Sequence, residues 1–93
     1  MEFQQILEMS LGRDDFLRVL PGVVGSFQVD GDTVRWSDAG RPWTIRLVPL
    51  AELRVGGVLV PRHRVEITLQ SCPKAEGEAF MARFHRAFLR GGG

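Results

Sequence analysis

At 93 residues the chain is long enough for one hydrophobic core and too short for two, and 44% hydrophobic with 25% charged residues is ordinary for a globular domain. A formal net charge of +1 provides no long-range field to gather nucleic acid, and no apolar run nears the roughly 20 residues that span a bilayer. The single cysteine, Cys72, rules out an internal disulfide and fits a reducing, cytoplasmic setting.

The first segment, residues 2–11, spaces Phe3, Ile6, Leu7 and Leu11 as a short helix would, with Gly12 ending it. It carries Glu2 and Glu8 and no basic run, so it does not read as a secretory signal. Met9-Ser10 offers a second translation start, which makes residues 1–12 a candidate loosely attached extension. A second helical turn or two follows, with Asp14 as N-cap, Phe16, Leu17 and Leu20 on one face, and Pro21-Gly22 as the stop.

From Ser26 the period changes to two. Phe27 and Val29 alternate with polar neighbours, Gly31-Asp32 interrupts, and Val34 and Trp36 resume the alternation. A Gly-Asp loop suits a type II′ hairpin, placing Val29 opposite Val34 and Phe27 opposite Trp36. A second loop at Ala39-Gly40 sets Trp36 against Trp43 and Val34 against Ile45, so both hairpins send one parity inward. Trp43, Ile45 and Leu47 continue that parity. Residues 49–61 hold two prolines around a Val55-Gly56-Gly57-Val58 tip. They read either as a small protruding hairpin or as the two flanking strands carried on through bulges. Arg62–Gln70 returns as a strand with Val65, Ile67 and Leu69 inward, and pairing Ile45 with Ile67 sets Arg46 against Glu66.

The last segment is an amphipathic helix opened by Pro73. Phe80, Phe84 and Phe88 fall on one face at about 100° per residue, flanked by Gly77, Met81 and Ala87. Acids lie near its start and Arg86 and Arg90 near its end, each sign matched to the helix dipole. The chain closes on Gly91-Gly92-Gly93, a frayed tail after a helix cap. These segments predict a single α+β domain of two layers, α-β-β-β-β-α. A four-stranded antiparallel meander would have both helices packed on one face.

No motif in the chain carries chemistry. The acids Asp14, Asp15, Asp30, Asp32 and Asp38 fall at helix starts and turn tips, where capping explains them, and no titratable cluster marks a catalytic pocket. His63, His85 and Cys72 lack metal-ligand spacing, so no metal or cofactor site is expected. Lys74 is the only lysine among 12 basic residues, an arginine bias that suits a GC-rich, bacterial source.

Three surfaces remain as candidates. Arg83, Arg86 and Arg90 line one flank of the last helix, where an acidic partner or a phosphate would dock. Val55, Val58 and Val60 make an apolar tip suited to a protein partner or to self-association. Arg35, Arg46 and Arg64 form a basic row on the outer sheet face, yet without the exposed aromatics that single-strand binders stack on. The expectation is a small, non-enzymatic accessory or assembly domain that binds another protein or itself. A carrier using the Gly-Gly-Gly tail and a weak nucleic-acid-binding domain are the alternatives.

Overall fold

The structure is a computed structural model that describes the backbone of residues 2–38 and 41–91, with side chains for 2–36 and 42–88. Eight elements follow in order: β1 (Glu2–Met9), α1 (Arg13–Val19), α2 (Pro21–Val24), β2 (Gln28–Asp30), β3 (Thr33–Asp38), β4 (Arg41–Val55), β5 (Val58–Gln70) and α3 (Lys74–Gly91). The fold is α+β, a five-stranded antiparallel sheet in the order β1-β5-β4-β3-β2 with helices on one face.

The expected meander is present as β2 to β5, in the register read from the residues. Val29 faces Val34, Val34 faces Ile45, Trp36 faces Trp43, Ile45 faces Ile67 and Arg46 faces Glu66. Gly31 takes φ 61° while Asp32 stays at negative φ. Positive φ at the first loop residue alone identifies a type II′ turn, the form that matches strand twist.

The fifth strand corrects the sequence reading. Residues 2–9 are extended rather than helical, pairing with β5 from Glu2 opposite Gln70 to Met9 opposite His63. Phe3, Leu7 and Met9 turn toward the core, Gln5 shares their parity, and Ile6 lies on the outer face, 62% exposed. An exposed glutamine at an inward-parity position and an outward isoleucine disguise the strand as a helical pattern. The unpaired edge of β5 decides the conformation, because its N–H and C=O groups need partners.

Two smaller corrections concern the first helices. Gly12, not Asp14, is the N-cap of α1, and it offers no side-chain cap; Asp14 and Asp15 sit in the first turn, favourable to the dipole. Pro21 ends α1 but opens the single turn α2, because a proline at a first helical position has no N–H to lose.

The core is an aromatic seam. The Phe80 ring lies 4.8 Å from Trp43 and 6.1 Å from Trp36. The Phe84 ring lies 4.5 Å from Phe88, and Phe88 stacks on Phe16 of α1 at 4.9 Å. Ile45, Leu47, Val65, Ile67 and Leu69 supply the sheet side, all buried. Fully burying each such side chain stabilises by about 1.5–3 kcal/mol, which explains why the phenylalanine stripe and the inward parity of the sheet find each other. Gly77 of α3 lets the ring of Phe3 pack directly against the helix backbone.

Candidate functional site: a β-arm, an outer charge lattice and a corner pocket

The 49–61 stretch resolves in favour of continuous strands. β4 and β5 run on past the sheet as a two-stranded ribbon closed by Gly56-Gly57, with Gly56 at φ 61°. β1 stops at His63 and β3 at Arg46, so neither edge of the ribbon has a partner strand beyond them. The molecule is drawn out to 45 × 25 × 21 Å, consistent with this projecting arm.

A bulge sets which side chains the arm presents. Leu50 pairs with Arg62 and Leu53 with Val60, so β4 spends one residue more than β5 over that interval. The extra residue switches the face of every later β4 side chain. Simple alternation would put Leu53 and Val55 in line with the core row of Leu47; the bulge moves them to the face of Arg62 and Arg64. Leu53, Val55, Val58 and Val60 thereby share one face of the arm, with Arg54 and Leu59 on the other. Leu53, Val55, Val58 and Leu59 are 45%, 56%, 63% and 50% exposed.

The outer sheet face carries paired charge. Arg46 Nε donates to Asp32 Oδ2 at 3.2 Å and its guanidinium lies 3.7 Å from Glu66. Arg64 Nε donates to Glu66 Oε2 at 3.0 Å, and Arg62 pairs with Glu8 of β1. The Arg46 guanidinium, and after it the Thr33 hydroxyl, hold the Asp32 carboxyl below its ordinary range. Of the expected basic row, Arg46 and Arg64 are thus each matched by carboxylates. Arg35, exposed on the same face, has no acidic partner among the described residues.

The structure does not bring the helical arginines to the arm. Arg83 lies over the Phe80 ring at 5.7 Å and Arg86 is exposed on α3; the Arg90 side chain falls outside the described ones, and Gly92 and Gly93 outside the described residues. His63 Nδ1 donates to the Leu11 carbonyl at 2.9 Å, tying β5 to the turn before α1. Cys72 is buried, its Sγ 3.5 Å from the Pro73 carbonyl oxygen. Among the described residues no group of three or more His, Cys, Asp or Glu is placed to hold a metal ion. No described helix is long and apolar enough to cross a membrane.

One feature has no counterpart in the sequence reading. Where the chain enters the short strand β2, Phe27, Trp36, Pro42 and Trp43 wall a pocket of about 690 Å³ that Gln28 and Arg35 also line. Both tryptophans were expected only as core. They are core, at 8% and 7% exposure, and both residues also border the pocket. The Trp43 indole N–H is buried with no hydrogen-bond partner, the only such side-chain atom among the described residues. The signal available in sequence was the shortness of the alternating run before Gly31, which leaves β3 without a neighbour beyond Gln28.

Comparison with protein-family models, with curated proteins and with solved structures found no match to this chain.

Proposed function

We propose that the chain is a small, non-enzymatic accessory or assembly domain that works by contact with another protein or with a second copy of itself, and that the β4–β5 arm makes the contact. The carrying observation is the bulge-switched face of Leu53, Val55, Val58 and Val60 on a ribbon with two unpaired edges. Apolar side chains held clear of the core add only their cross-strand pairing to the fold, whereas against a partner they bury surface worth about 25 cal/mol per Å². The open edges add backbone donors and acceptors that a partner strand can pair. The reading includes a cytoplasmic home, supported by a lone buried cysteine. Nucleic acid is a weaker partner here, because Arg46 and Arg64 are already matched by Asp32 and Glu66.

Val58→Asp is the direct test, because Val58 is the most exposed of the tip valines. A charge there is solvated in the free domain and desolvated in a complex. Self-association measured by sedimentation, or capture of a purified partner, should weaken at least about tenfold while circular dichroism and melting stay unchanged. Binding that survives while the fold collapses would show the tip to be core and end this reading.

A further inference from the structure

We propose that the arm pairs with the arm of a second copy of this chain, the free edge of β4 lying antiparallel to itself about a two-fold axis at Leu53. The inference rests on the arm being the contact surface and names its partner.

The backbone decides which edge is available. In a two-residue hairpin the flanking pair, here Val55 and Val58, exchanges both hydrogen bonds, so by alternation Arg54 and Leu59 turn their N–H and C=O groups to the open edges. On β5 the next edge-facing position is Pro61, which has no N–H to give. The turn before α1 also lies against this edge: a β-carbon built on Gly12 would touch the Pro61 ring at 3.6 Å, and the Leu11 carbonyl holds His63. The β5 edge is therefore blunted and covered. On β4 the Leu47 N–H bonds the Asp32 carbonyl, Pro49 is the next edge-facing position, and from there to the tip no described strand pairs the edge.

Charge decides the partner. Leu53 shares the outer face with Val60, so Glu52 and Arg54 lie together on the opposite face, two residues apart. Both are exposed and neither holds an ion pair among the described residues, whereas Arg46, Arg62 and Arg64 each hold a carboxylate. An axis at Leu53 sets Glu52 opposite the partner's Arg54, and Arg54 opposite the partner's Glu52. An axis at Glu52 would oppose two glutamates and an axis at Arg54 two arginines, and like charges directly opposite repel. The run Glu52-Leu53-Arg54 is thus self-complementary about its own centre, the condition for a two-fold contact. On the outer face the two Leu53 side chains meet at the axis, each beside Val60 of its own chain, and form one apolar row across the joined arms.

The contact is small and the association weak, so sedimentation of the full chain up to about 1 mM is the measurement, with a concentration-dependent monomer–dimer equilibrium expected. Glu52→Arg alone and Arg54→Glu alone each set like charges across the axis. Each should weaken association at least about tenfold and leave circular dichroism unchanged, because both positions are exposed. The double exchange, Glu52→Arg with Arg54→Glu, should return association to within about threefold of wild type. Mixing the two single variants should give a one-to-one heterodimer although neither pairs with itself. A wild type that stays monomeric, or single variants that self-associate as wild type does and gain nothing on mixing, would overturn the proposal. The arm reading survives either result if Val58→Asp still releases another captured protein, and falls with the proposal if it does not.

Discussion

Gly77 is the point where residues 74 positions apart meet. A β-carbon built there overlaps the Phe3 ring at its root as well as its edge, so the clash is relieved only by moving β1 itself. Alanine in place of glycine gains up to about 1 kcal/mol of helix propensity in an open helix. Overpacking against a ring that cannot swing away costs about 1–3 kcal/mol. Gly77→Ala should therefore destabilise the domain by roughly 1 kcal/mol in urea unfolding. In a Phe3→Ala background the same change should turn stabilising, and a double-mutant cycle without that change of sign would show that β1 does not rest on α3.

Asp32 offers a pH test at the same scale. A carboxyl whose folded pKa is depressed, first by Arg46 and then by Thr33, adds stability above its unfolded pKa and loses it as pH falls through the lower folded value. Wild type should thus gain on Asp32→Asn as pH rises past about 4 and converge with it in stronger acid. Both partners are exposed, so the gain is small and shrinks with salt. A difference in melting temperature that stays flat across the carboxylate range would remove the pair from the account.

Among the elements, β4 and β5 each live in two environments. Their inner halves, Trp43–Leu47 and Val65–Leu69, are covered by α3 and flanked by β3 and β1. Their outer halves form the arm, where side chains from Ala51 to Leu59 are exposed. Local opening of the arm needs only its own backbone hydrogen bonds to break, whereas opening the inner halves needs the core. Amide exchange should fall off along the hairpin, residues 53–60 exchanging at least about 100-fold faster than 43–47 and 65–69. Uniform protection would mean that something in solution already covers the arm.

The strands themselves were unequally legible. Between Ser26 and Gln70 the alternation carries its own register, because a one-residue slip would turn every inward side chain outward. β1 was not legible, since Gln5 and Ile6 sit on the faces opposite to those their polarity suggests. The bulge was open as an alternative but its consequence was not. Local sequence does not say which of Ala51 or Glu52 is unpaired, and that detail controls the face of Leu53 and Val55.

For the whole molecule, the shape is a compact two-layer body with a projecting ribbon. β1 joins the sheet beside β5, so the start of the chain closes the edge that a four-stranded meander would leave bare. The first strand and the start of the last helix meet there, Phe3 from one and Gly77 from the other. The candidate surfaces lie apart: the arm at the far end of β4–β5, the pocket at the corner by β2, and Arg83 and Arg86 on α3.

What the sequence determined alone is the set of interactions whose partners are near in the chain: the II′ hairpin at Gly31, the Trp36–Trp43 pairing, the helix after Pro73 and its phenylalanine face. Periodicity and turn chemistry act over a few residues and need no distant partner. Tertiary structure decided the rest. It made residues 2–9 a strand because an open sheet edge outweighs a weak helical pattern. It turned the valine tip to the outer face through one inserted residue, and it left a pocket where β2 stops short. Each depends on which backbone lies alongside, and that is a property of the folded chain rather than of any local run of residues.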